Sequence, residues 1–270
     1  MAAISKKNNQ PIGVFDSGVG GLSVLRELQK KMPHENFVFL ADQKYVPYGE
    51  KTKKELVSLV YKITDYLIKH HDIKMMVVAC NTATCGAIAE LRNKYSLPIV
   101  GTVPAIKPAA EKTRTKTVGI ISTPSTSKSK VLHALIKDYC RGVKMLNIGC
   151  KNLEDVVEKG KLNSPEVSRL LVKFLKKVKD SKADYLVLGC THYPFLKNII
   201  QKIVGPRINL IDSGNAIAKH TRSLLANNFL ENNQKRSGET SYLTTGNPVE
   251  FSKVSSFLLK NAIKAKRVKI

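Results

Sequence analysis

The 270-residue chain is 43% hydrophobic and carries 45 Lys and Arg against 21 Asp and Glu, a formal net charge of +24. That supply of apolar residues suffices for one large α/β domain or two smaller ones without covalent staples, and no apolar run approaches the roughly 20 residues that cross a bilayer. The first ten residues, MAAISKKNNQ, lack the apolar core of a secretory signal, and five cysteines without paired framework spacing read as free thiols in a reducing cytoplasm.

The charge by itself would suggest a nucleic-acid partner. The lysines are scattered, however, through Lys51, Lys53, Lys54, Lys128, Lys130, Lys173, Lys176, Lys177, Lys179, Lys264 and Lys266. They fall on the polar positions of helical patterns, as solvated helix faces do, so nucleic acid is not expected as the primary partner. A positive field would still speed the encounter with an acidic metabolite.

In chain order, short apolar and β-branched runs predict strands at 12–15, 37–41, 75–79, 99–100, 118–122, 144–148, 185–188 and 208–211. Segments of three-and-four apolar spacing predict helices between them, clearest at 22–31, 56–69 and 165–178. Such alternation means βαβ units and a mainly parallel sheet. The order of motifs also recurs: IGVFDSG, MMVVACNTA and PIVGTVPAI in the first half, VGIISTPS, YLVLGCTHYP and INLIDSGNAI in the second. Cys80 and Cys190 are 110 positions apart and Ala105 and Ala216 are 111 apart. Two similar α/β units explain the near-constant offset.

Ligands of open α/β sheets sit at the carboxyl ends of strands. DSGVGG, 16–21, follows a predicted strand and opens a helix, so its glycines can turn tightly and offer backbone N–H groups to an anion, but it matches neither the dinucleotide fingerprint nor the Walker pattern. Its glycines suit an ordinary turn equally; Asp16, at the strand end, is a candidate functional residue. Cys80 and Cys190 end the two matching strands, each followed by hydroxyl or amide residues and the second also by His192. Such neighbours are expected to lower a thiol's pKa towards neutrality. Cys85, Cys140 and Cys150 lack them and are assigned to packing, and His70 and His71 to the surface. Cys80-x4-Cys85 and Cys190-x-His192 lack zinc-site spacing, so no metal is expected. A Cys-His-Asp arrangement, with His192 and Asp16 serving one thiol, would leave the second cysteine unexplained. Two opposed thiols suit proton removal from one face of a carbon acid and its return to the other.

With DSGVGG, VPYG, ACNTA and GCTHYP together, the chain resembles the glutamate racemases, cofactor-independent members of the aspartate/glutamate racemase superfamily. DSG at 212–214 and YLTTG at 242–246 extend the likeness, and HYP and PYG favour glutamate over aspartate. The resemblance implies that Cys80 and Cys190 are the acid/base pair, assisted by Asp16 and His192 respectively. It implies substrate binding by Asp16, Ser17, Tyr48, Gly49, Asn81, Thr82, Thr191 and His192, with Asp42 and Glu158 as auxiliary acids. Gln43 stands where a threonine is usual, and Lys151 and Asp155 where prolines are. The implied protein has two α/β domains of similar topology, residues 1–100 with 212–270 and an inserted 101–211, and an active site between them. It would be a cytoplasmic homodimer or monomer that needs no cofactor and supplies D-glutamate for peptidoglycan. Racemisation of aspartate or another dicarboxylate is the enzyme alternative, and a basic nucleic-acid-associated protein the alternative outside catalysis.

Overall fold

The computed structural model describes residues 8–232 and 234–270. The first seven residues, most of the segment read above as too polar for a secretory signal, lie outside them. No helix among the described residues is long and apolar enough to cross a membrane.

The strands are β1 (Ile12–Asp16), β2 (Phe37–Ala41), β3 (Met75–Val78), β4 (Ile99–Gly101), β5 (Thr117–Ser122), β6 (Lys144–Gly149), β7 (Tyr185–Leu188), β8 (Asn209–Asp212), β9 (Thr240–Thr244) and β10 (Ala265–Arg267). They form a six-stranded sheet, ordered β10-β9-β2-β1-β3-β4, and a four-stranded sheet, ordered β6-β5-β7-β8. Every pairing is parallel, as helical crossovers require. The protein is therefore α/β, with two mainly parallel sheets flanked by helices.

Parallel sheets are covered on both faces, and the uniformly buried β1, β2 and β3 read as continuous apolar runs for that reason. Alternate residues serve opposite layers: Val14 packs with Leu22, Leu25 and Leu28 of the helix Leu22–Lys31, while Phe15 packs with Val60, Ile63 and Leu67 of the helix Lys53–His71. The first of these clusters continues through Val156, Leu171, Leu186 and Tyr193, so one apolar core joins the two sheets. The central strands β1, β2, β3, β5 and β7 are mainly apolar, whereas β6, at an edge, exposes Lys144 and Asn147.

The motif repeat is a repeat of topology. The order β2-β1-β3-β4 recurs as β6-β5-β7-β8, which makes β3 and β7 equivalent. Cys80 and Cys190 each stand two residues past the end of these strands, at Val78 and Leu188. The strands β9 and β10, which the periodicity does not predict, extend the first sheet beyond β2. TSYLT and AKR carry little apolar signal; main-chain pairing of Thr240–Thr244 along Phe37–Ala41 makes the first of them a strand.

Candidate active site

The loop after β1 is built by Asp16, whose Oδ1 accepts the Gly18 N–H at 2.9 Å and lies 3.3 Å from the Ser17 hydroxyl. Its glycines are close-approach residues: a Cβ at Gly18 would collide with the Glu158 carboxylate and one at Gly20 with the His192 ring. The backbone N–H groups of this loop do serve an anion, but it is the protein's own Glu158, which accepts from Val19 at 2.7 Å.

Cys80 is the N-cap of the helix Asn81–Lys94; its Sγ accepts the Ala83 N–H at 3.4 Å and lies 3.7 Å from the Ser17 hydroxyl. Asn81 donates to the Thr102 carbonyl at 3.2 Å, and the Thr82 hydroxyl meets Thr123 at 3.0 Å and Thr126 at 3.3 Å, a hydroxyl cluster joining the two sheets' loops. Cys190 has a different local setting. It opens a turn rather than capping a helix, with the Tyr193 N–H returning to its carbonyl at 3.1 Å, and its Sγ lies 3.6 Å from His192 Nδ1. The other ring nitrogen of His192 meets Glu158 Oε1 at 2.6 Å, and Gln43 donates to the second oxygen of that carboxylate at 2.8 Å.

Both thiols line one narrow cleft with about 350 Å³ of atom-free space, together with Ser17, Val46, Pro47, Tyr48, Gly49, Asn81, Thr82, Thr123, Glu154, Thr191 and His192. A larger hollow beside Lys179 and Arg207 holds no thiol or histidine and is not the site of this chemistry. Of the residues expected at the site, three stand behind the wall instead of lining it. Asp16 is fully buried and accepts the Thr191 hydroxyl at 3.0 Å. Asp42 accepts from Tyr48 at 2.6 Å and from Thr245 at 2.7 Å, which orients the Tyr48 ring towards its place in the wall. Glu158 contacts the far side of the His192 ring. Thus His192 contacts Cys190, whereas Asp16 ties the two loops together; they do not converge on one thiol.

Sequence reasoning missed Val46, Pro47, Thr123 and Glu154. Thr123 had a signal, since STPS occupies in the second unit the place that DSG holds in the first. Glu154 had none.

Burial pushes both catalytic-candidate thiols up, Cys80 further through Asp16, and Cys190 against the opposing pull of His192. The expectation of near-neutral thiols is therefore corrected: the cleft is so closed that desolvation outweighs the helix end and the hydrogen bonds. Burial alone would lower His192, but its contacts with Cys190 and Glu158 together raise it well above the ordinary imidazole value. Burial would raise Glu158, and the hydrogen bonds from His192, Gln43 and Val19 outweigh it and hold it low. Each partner of the pair thus favours the other's charged form. Asp16 and Asp42 are raised by burial. Among the described residues neither Lys nor Arg lines the cleft, so their positive charge lies outside it. Cys140 and Cys150 are buried in apolar clusters, and Cys85 is half-buried. His70 is exposed beside Tyr66. Among the described residues no group of three or more His, Cys, Asp or Glu is gathered as a metal would need.

Residues 16–221 match the model of a family described as Asp/Glu/Hydantoin racemase. The chain belongs to this family. It is 40% identical over 250 residues to the glutamate racemase of Herpetosiphon aurantiacus, covering 93% of this chain and 98% of that one. Its fold matches the crystal structure of glutamate racemase isoform RacE1 from Bacillus anthracis with a TM-score of 0.88 at 29% identity, over 97% of this chain and 98% of that one. It also matches the glutamate racemase of Francisella tularensis in complex with D-glutamate, with a TM-score of 0.84 at 28% identity and coverage of 97% and 98%. The resemblance stated from the motifs is the one found, and the chain is an amino-acid racemase, of the isomerase class.

Proposed function

We propose that the protein interconverts L- and D-glutamate without a cofactor, using Cys80 and Cys190 as the two acid/base groups. The observation that carries this reading is the placement of two thiols, at equivalent strand ends of two similar units, in the wall of one cleft. Relatives at 40% identity are glutamate racemases, and D-glutamate is bound by one of the structural neighbours, which supports glutamate as the substrate.

One cysteine, as thiolate, removes the α-proton from its face of the substrate; the other, as thiol, delivers a proton to the opposite face. The two sulfurs exchange protonation states, so each turnover leaves the site ready for the reverse direction. Burial makes each thiolate scarce but strongly basic, which suits a weakly acidic C–H bond. The substrate ammonium and the His192 imidazolium supply the positive charge that stabilises the thiolate on binding. Asn81, Thr82 and Thr123 offer neutral donors to the substrate carboxylates, and Thr191, whose hydroxyl donates to Asp16, completes the wall with Ser17, Tyr48 and Gly49. Asp16 holds the Ser17 and Thr191 loops, and Asp42 and Glu158 hold Tyr48 and His192. Residues 1–100 with 212–270 and residues 101–211 act on this reading as domains that open to admit substrate, and the product is D-glutamate for peptidoglycan in the cytoplasm.

The test is racemisation of L-glutamate by purified protein with no added pyridoxal phosphate or metal, followed by circular dichroism. Cys80→Ser and Cys190→Ser are each expected to abolish it with the fold intact. In deuterated water each variant should lose solvent-deuterium wash-in from one enantiomer in particular. Near-normal turnover by either variant overturns the two-thiol assignment.

A further inference from the structure

We infer that Glu154 is a substrate-positioning residue whose protonated carboxyl donates a hydrogen bond to a carboxylate of the bound amino acid. The inference rests on the racemase reading and deepens it. Glu154 lies in the first turn of the helix Leu153–Glu158 and lines the same cleft as both thiols. It is more than nine-tenths buried, and its Oε2 is shielded from solvent with no hydrogen-bond partner among the described residues. A buried polar atom without a partner is costly, and an unpartnered one in a ligand cleft is explained by a ligand group that completes it.

The charges facing Glu154 decide which ligand group that is. On its own helix stand Asp155 and, one turn on, Glu158; the turn after β7 brings Cys190, His192 and Tyr193; the loop after β6 brings Cys150, with Lys151 beside it; the 48–50 turn brings Glu50. Lys151 reaches Glu50, at 3.8 Å, and the His192 cation is engaged by Glu158 and Cys190. Glu154 thus has no cation of its own, and burial raises its pKa. A dicarboxylate ligand brings two negative charges into a wall without Lys or Arg. An ionised Glu154 would repel it, whereas a neutral carboxyl supplies one more donor. Binding then carries a proton with it: where free Glu154 is ionised, the enzyme takes one up as the substrate enters, and affinity falls as pH rises, by up to about tenfold per unit.

The decisive measurement is calorimetric titration with racemic glutamate, so that turnover adds no heat, in buffers of different ionisation enthalpy between about pH 5 and pH 9, with the racemase assay run alongside. Glu154→Gln keeps a neutral donor in place, and Glu154→Ala removes it; Glu154→Gln, with circular dichroism of both variants, covers a failure of the alanine variant to fold. Expected are proton uptake by the parent, its loss in Glu154→Gln together with a flatter dependence of affinity on pH, and a KM raised about tenfold in Glu154→Ala with kcat changed less. Glu154→Gln also relieves the push of Glu154 on Cys190, so the uptake assigned to Glu154 is the part lost in its own carboxyl range, well below the titration of the thiols and His192. Equal uptake in parent and Glu154→Gln throughout the range overturns the inference, as does affinity that rises with pH through the Glu154 titration, the sign of an ionised carboxylate holding the ammonium. A parent that binds glutamate with this uptake but does not racemise it would refute the racemase reading and leave Glu154's role standing; a parent that does not bind glutamate overturns both.

Discussion

The hydroxyl of Thr191 donates to Asp16 Oδ2 across 3.0 Å, and this one bond joins the loop behind Cys190 to the loop that faces Cys80. Asp16 uses its other oxygen for the Gly18 N–H, so both of its oxygens are committed as acceptors. An amide keeps an acceptor for Gly18 but turns an N–H towards Thr191, whose hydroxyl must then change from donor to acceptor. Asp16→Asn also removes the charge beside Cys80, and is expected to lower kcat by about 10²-fold with Tm lowered by only a few degrees. Thr191→Val, which removes the donor at nearly constant size, should move kcat in the same direction. Steady-state kinetics within twofold of the parent for both variants would separate this bond from catalysis.

The His192–Glu158 pair sets a pH dependence whose sign follows from its two shifts. Glu158 is held below the ordinary carboxylate value of 4.5, so its contribution to stability is present above about pH 4.5 and is lost as pH falls through the lower, folded value. His192 is raised above 6.5, so its contribution is full below about pH 6.5 and is lost as pH rises through the higher, folded value. Glu158→Gln should accordingly cost more stability near pH 6 than at strongly alkaline pH. It should also move the His192 titration, read by NMR of the imidazole, to lower pH. An unmoved midpoint would show that Glu158 does not hold the proton on His192.

Raised thiols predict slow alkylation. Below its pKa a thiol's ionised fraction grows about tenfold per pH unit, so inactivation of the free protein by iodoacetamide should climb through pH 7 to 9 without levelling. Mass spectrometry assigns the modified cysteine. A plateau near pH 7 at Cys80 or Cys190 would restore the near-neutral thiols that the motifs alone suggest.

What the sequence made legible is what is encoded locally. Strands β1, β2, β3, β5 and β7 are apolar because they are buried within parallel sheets, β6 and β8 keep a weaker apolar run at the sheet edges, and the offset between Cys80 and Cys190 records a repeated topology. β10 was not legible, since AKR has no apolar pattern and becomes a strand only by pairing with β9. The direction of the thiol shifts was not legible either: a helix end and a neighbouring histidine can be read from CNTA and CTHY, whereas desolvation depends on how closely the two halves approach. Glu154 is the same case. In CKNLEDVVEKG it looks like a first-turn helix acid, and only the packing of that helix against the 190–193 turn puts it in the cleft wall. Gln43 shows the converse, a departure from the family pattern that the structure explains, because it donates to Glu158 and its own Oε1 accepts the Thr244 hydroxyl at 3.1 Å.

Lys74 and Glu35 form a buried ion pair at the opposite edge of the first sheet, with Nζ 2.5 Å from Oε2 and side chains 0% and 5% exposed. Glu35 Oε1 also accepts the Asn232 N–H at 2.7 Å, and the lysine reaches the Asn8 carbonyl at 2.5 Å, so the pair staples the entries of β2 and β3 to the surrounding loops. Removing one partner leaves the other charge buried and unpaired. Lys74→Met should therefore destabilise by about 3–5 kcal/mol in guanidinium unfolding, whereas the double variant Lys74→Met with Glu35→Leu should recover much of that loss. Lys74 precedes β3 and Cys80 follows it, six residues and about 20 Å along an extended strand. The folded fraction of Lys74→Met should consequently keep its turnover, so a fall in kcat matching the fall in stability would show that the strand entries and the cleft are coupled through the sheet.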